Sequence, residues 1–191
     1  MPWSLMGSGA YRTPLGEIPV DASFASALRM RCPFLTPDAW AHRGEHAIEV
    51  LLPFLQRLGP PDLTIVPMII SADDPTAFAQ LAQALAQLIQ MSEEPILLVA
   101  SSDLSHYETH AHAAAQDRAF LDAICALDSE RLIRCVQDDG VIMCGYGAVA
   151  CLLDATKALG ASHGRLVRYG TSTDAGGDPH AVIGYAGVIV S

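Results

Sequence analysis

The apolar positions of this chain repeat with two periods, and the alternation between the periods marks out the elements. Over 74–91, Phe78, Leu81, Leu85, Leu88 and Ile89 form one helical stripe, with Gln80, Gln83, Gln87 and Gln90 opposite. Asp74-Pro75 opens that segment with a capping carboxylate and a proline at the first helical position. A second helix is predicted over 144–159, with Val149, Leu152 and Leu153 inward and Gly160 as its terminating glycine. Phe120, Leu121 and Ile124 give a helix that follows His112 and runs through about Leu127, and a short one follows over about 129–136. Asp21 caps a helix through Met30 with Phe24, Ala27 and Leu28 on one face. Over 43–58, Ile48, Leu51, Leu52, Leu55 and Leu58 also keep helical spacing. Pro53 lies inside that pattern, so the helix bends there or starts late, and Gly59-Pro60-Pro61 ends it.

Short apolar runs at 63–70, 96–100, 166–171 and 182–190 read as strands, with Gly184 and Gly187 marking bulges or close backbone approach in the last. The first forty residues are broken by glycine and proline; 11–16 reads as a loop, and so does 173–180. Strands alternating with helices predict an α/β fold: a single domain over 1–191, with a mostly parallel central sheet and helices on both faces. There is no internal repeat and no low-complexity segment.

Composition narrows the function. The chain is 51% hydrophobic and 17% charged, which is enough apolar content for a substantial core. A net charge of −10 argues against nucleic acid and against an anionic membrane surface, both of which call for basic patches. No apolar run reaches membrane-spanning length, and the first residues lack a signal peptide's basic start and apolar core. The five cysteines, at 32, 125, 135, 144 and 151, are odd in number and irregular in spacing. That is no disulfide framework, and it points to a reducing cytoplasm.

Three groupings carry chemistry. The first is Asp103-Leu104-Ser105-His106, at the carboxyl end of the 96–100 run, where open α/β sheets place their ligands. His106 can move a proton or hold a metal, and Asp103 can orient it or share the ion. The second is Cys144-Gly145 ahead of a helix, where unpaired amides favour a thiolate. Cys125, Cys135 and Cys151 fall inside helical patterns and read as core. The third is His42-Arg43-Gly44-Glu45-His46, literally H-x-x-E-H, the inverted zinc-peptidase signature, with a glycine that disfavours the helix it needs. His110, His112, His163 and His180 stand in polar surroundings and read as solvated.

Several segments, in order, match one family. Residues 45–55, E-H-A-I-E-V-L-L-P-F-L, resemble its E-H-S-I-E-x-x-L-P-F/Y-L segment, and Val66-Pro67 fits the strand after it. Residues 101–107, S-S-D-L-S-H-Y, resemble its S-S-D-L/F-S/C-H-Y/W signature. Cys144-Gly145-Tyr146-Gly147 resembles its C-G-x-x-P/A turn, and 182–187 its closing strand. From about Ala10 to its end the chain thus resembles the Memo family, whose prokaryotic members are called AmmeMemoRadiSam system protein B. The resemblance implies a class III extradiol-dioxygenase-like fold and a pocket of histidines, aspartate and cysteine. It also implies iron or copper, with zinc as a substitute, and no organic cofactor. Asp103 and His106 carry over as catalytic positions, and Cys144 and His106 as metal positions, with His46, a residue of the family motif, as a further metal position. An unknown small molecule is the implied substrate and a radical SAM protein the implied partner; redox or dioxygenase-like turnover and a non-catalytic interaction module both remain open. The family's N-terminal strands, which carry an H-A-G-Y type and a P-x-H type histidine, have no counterpart in these residues. The resemblance therefore covers the family's larger C-terminal portion, through a gene start placed too late or a true shortening.

Overall fold

A strand at each end of the first seventy residues ties the start of the chain together. β1 (Trp3–Leu5) pairs antiparallel with β4 (Met68–Ile70), in register Trp3 to Ile70. The computed structural model describes residues 3–71, 73–138 and 143–191, without the side chains of 107, 108, 110, 111 and 138. Between β1 and β4 lie β2 (Ala10–Thr13) and β3 (Gly16–Pro19), α1 (Ala22–Arg31) and α2 (Leu52–Leu58). β2 and β3 make an antiparallel hairpin where the sequence reads as a loop. Pro14 and Leu15 are its turn, and Gly16 adopts φ +124°, a conformation open to glycine.

The cap signals act as their chemistry requires. Asp21 accepts from the Phe24 amide at 2.9 Å, and Asp74 from the Thr76 and Ala77 amides, both at 3.1 Å. Asp74 opens α3 (Pro75–Met91). Pro53 resolves as a late start: α2 places it in its first turn, and 41–51 is turns.

The second half runs β5 (His106–Glu108), α4 (His110–Cys125), α5 (Ser129–Asp138), α6 (Tyr146–Ala158), β6 (Gly164–Thr171), a 3₁₀ turn at Ser172–Ala175, and β7 (Val182–Val190). β7 is the middle of a three-stranded antiparallel sheet, with β5 on one side and β6 on the other. Helix α6 is the hinge of the core. Its Ala150, Cys151 and Ala155 pack toward α1 and α3 with Trp3, Leu5, Phe78 and Leu81. Its Val149 and Leu153 pack toward α4 and α5 with Leu104, Phe120, Ile124 and Leu132. No described helix is long and apolar enough to cross a membrane.

The parallel central sheet is a correction. The described sheets are small and antiparallel, and their parallel pairings are the isolated bridges Ser4–Thr36 and Val20–Ile65. The 96–100 run has the composition of a buried strand but forms none; no backbone hydrogen bond joins it to another segment among the described residues. Leu97 is 76% exposed and Val99 51%, while Leu98 and Ala100 pack on the two core clusters. An apolar run becomes a central strand only when strands pair with it, and among the described residues none pairs with this one.

Candidate metal centre

The run that ends in Asp103 meets the turn before α6 through one close approach. The Gly145 amide donates to Ser102 Oγ at 2.9 Å, and Ser102 Oγ donates in turn to its neighbour's carbonyl, Asp103 O, at 2.8 Å. Gly145 is needed for this. A Cβ there would stand 2.6 Å from Ser101 O and 2.6 Å from Ser102 Cβ, closer than real atoms approach. The C-G dipeptide thus sets the cysteine beside Ser101-Ser102-Asp103, with Gly145 as the N-cap of α6.

The result is a three-residue donor group. A carboxylate oxygen of Asp103, a ring nitrogen of His106 and the sulfur of Cys144 all lie within 4.8 Å of one another. His106 Nε2 is 3.5 Å from Asp103 Oδ2. Cys144 is exposed, His106 and Asp103 are half-buried. The Tyr185 phenol is pushed up, first by burial and then by the Asp103 carboxylate, so that anion faces β7. One nitrogen, one oxygen and one thiol at this spacing are the donor set of a borderline or soft transition metal, so the residues present fit the ion that the sequence implies.

His46 is exposed and stands outside this group. Its neighbour in the H-x-x-E-H motif is elsewhere engaged: His42 Nδ1 is 2.8 Å from Tyr11 Oη. Residues 42–46 form no helix, so the two histidines lack the i, i+4 face a zinc peptidase uses. His112, His163 and His180 are exposed, and the side chain of His110 lies outside the described residues. Cys32 and Cys151 are buried, Cys125 and Cys135 partly so, and all five cysteines are free.

Sequence reasoning missed the residue that holds the site from behind. Asp117, on α4, is fully buried. It accepts from the Ser105 amide at 2.9 Å, Ser105 Oγ at 3.1 Å and Tyr169 Oη at 2.8 Å. The phenol of Tyr169 is raised by burial and then by this carboxylate. Gly184 of β7 faces the same group, and a side chain there would run into Asp117 Oδ2. Ser105, Tyr169 of β6 and Gly184 of β7 thus converge on the one carboxylate that α4 carries, next to His106. The signal was available: Asp117 falls on the stripe of Ala113, Phe120, Leu121 and Ile124, where a carboxylate has no business without donors.

Comparison with known proteins decides the family. A family model described as Memo-like protein matches residues 1–189. The chain belongs to the Memo family. It is 39% identical over 184 residues to a MEMO1 family protein of Methanopyrus kandleri, covering 96% of this chain and 65% of that protein. A MEMO1 family protein of Sulfolobus acidocaldarius is 37% identical over 185 residues, covering 97% of this chain and 65% of the relative. One from Methanocaldococcus jannaschii is 37% identical over 185 residues, covering 95% and 64%. This Memo-family chain therefore spans just under two thirds of the length of these relatives.

Proposed function

We propose that Asp103, His106 and Cys144 bind a transition metal, iron or copper with zinc as a substitute, and that the pocket serves dioxygenase-like or other redox chemistry on a small molecule. The observation that carries the reading is the mutual 4.8 Å spacing of an oxygen, a nitrogen and a sulfur donor drawn from two distant stretches of chain. When bound, such a metal supplies a Lewis acid and a redox-active centre. The chain's own residues do the rest. Cys144 and Asp103 provide the sulfur and oxygen donors, and Asp103, 3.5 Å from His106 Nε2, orients that ring. Asp117 fixes the backbone at Ser105, immediately before His106.

The test is anaerobic loading with iron(II), followed by oxygen and a panel of catechols. Retained metal with consumption of oxygen and catechol supports both halves of the proposal. Retained metal without turnover overturns the dioxygenase half and leaves a metal-binding module. No retained metal overturns the whole.

A further inference from the structure

The apolar run that leads into the metal group lacks a strand partner. From Leu97 onward its exposure alternates: Leu97 is 76% and Val99 51% exposed, while Leu98 packs on one core cluster and Ala100 on the other. A two-residue period is the period of a strand. Yet no backbone hydrogen bond joins residues 96–100 to another segment among the described residues. The run, Ile-Leu-Leu-Val-Ala, also contains no charged residue and no proline, the devices that keep a free strand from pairing.

What covers such a segment follows from its chemistry. Phe54 and Leu58 are also exposed, but they sit in α2, and a helix pairs its own amides and carbonyls, so any apolar surface suits them. At 96–100 the backbone groups are open as well as the side chains, and a second strand is the partner that meets both. A second copy of this chain fits poorly. Antiparallel pairing about Leu98 keeps Leu97 opposite Val99, but it sets Asp103 opposite Glu93 twice over, in a chain whose net charge is −10. Like charges directly opposite destabilise a strand pair. The Memo relatives, in contrast, are longer than this chain. The match covers 65% of the Methanopyrus kandleri and Sulfolobus acidocaldarius proteins, so about a third of each lies outside it.

We infer that residues 96–100 accept one strand from the part of a Memo-family protein that this chain does not span. The incoming strand bonds to the amides and carbonyls of the run and lays apolar side chains over Leu97 and Val99. The run continues directly into Ser101, Ser102 and Asp103, so the added strand also braces the segment whose Ser102 holds Gly145. The inference stands apart from metal binding, since it needs neither an ion nor turnover.

Amide hydrogen exchange of the full chain, followed by nuclear magnetic resonance, tests this. The probe is the unmatched third of the Methanopyrus kandleri protein, produced as a separate chain. Without the probe, the amides of residues 97–99 should exchange fast at every concentration of this chain. With it they should slow saturably, by about tenfold when the probe is in excess. Leu97→Lys, at an exposed position, should raise the dissociation constant of the probe about tenfold. Ile189→Lys, equally a change at an exposed apolar position but on β7, should leave it unchanged. Amides at 97–99 that stay fast in the presence of the probe, or equal effects of the two substitutions, would overturn the inference. Slowing that appears with rising concentration of this chain alone would overturn it in favour of a second copy.

Discussion

Ser102 Oγ accepts the Gly145 amide at 2.9 Å across 43 positions of sequence, and this contact brings the cysteine of one half of the site to the aspartate and histidine of the other. Gly145→Ala should break it. The added methyl overlaps Ser101 O and Ser102 Cβ, both at 2.6 Å, and the neighbour is backbone that yields little. We predict a loss of about 1–3 kcal/mol of stability, typical of forced overpacking. A larger loss of metal affinity should accompany it. Denaturant unfolding and metal titration, run in parallel, check both. Ser102→Ala should cost about 1 kcal/mol and loosen the metal group without abolishing it.

Asp117→Asn is nearly isosteric but places an amide donor where three donors already point. It should destabilise the chain by about 1.5–3 kcal/mol, the range for hydrogen bonds to a charged group. Tyr169→Phe removes one donor and should cost less. Equal losses in the two variants would show that the carboxylate is not the hub of the network.

Most helix boundaries were legible because their signals are local. Asp74-Pro75, Asp21 and Gly160 state their roles in side-chain chemistry or in a positive φ, here +101° at Gly160. Strand β7 is Val182–Val190 as its apolar run predicts. The site's three principal residues were legible as motifs, but their meeting depends on the Ser102–Gly145 contact, which no spacing reveals. What failed was non-local. The 96–100 run reads as a central strand because periodicity reports burial capacity, not the presence of a neighbour. The hairpin of β2 and β3 was hidden because Pro14 and Gly16 look like breakers, when they are the chemistry of its turn. Asp117 was hidden because its partners, Ser105 and Tyr169, lie on other elements.

His42 makes stability pH-dependent. Its pKa in the folded chain lies below its ordinary value of 6.5, so between those two pH values the unfolded chain binds more protons. The contribution is therefore fully present above pH 6.5 and is lost as pH falls toward the folded value. Tyr11 acts at the other limit: raised from 10.0 to about 12, it contributes below pH 10 and loses that contribution as pH rises through about 12. Urea midpoints between pH 5 and 8 should fall on the acid side in the wild type, and fall less in His42→Gln. Parallel curves for the two proteins would contradict this.

The cysteines should separate by reactivity. Cys144 is exposed, whereas Cys151 is buried and its thiol is pushed up to about 12, by burial and then by Asp154 and Cys32. Iodoacetamide at neutral pH should modify Cys144 first and leave Cys32 and Cys151 untouched in the folded chain. Bound zinc should slow modification of Cys144. If zinc binds and the rate at Cys144 does not change, the sulfur is not a ligand.

The central claim is that Cys144 sulfur, His106 nitrogen and Asp103 oxygen share one metal ion. The most direct measurement is the near-ultraviolet spectrum of the chain loaded with cobalt(II), together with the cobalt content after dialysis. The account predicts a thiolate-to-cobalt charge-transfer band that disappears in Cys144→Ala along with most of the bound metal, and weaker binding with the band still present in His106→Ala. Stoichiometric cobalt without a thiolate band in the wild type, or an unchanged band in Cys144→Ala, would contradict it.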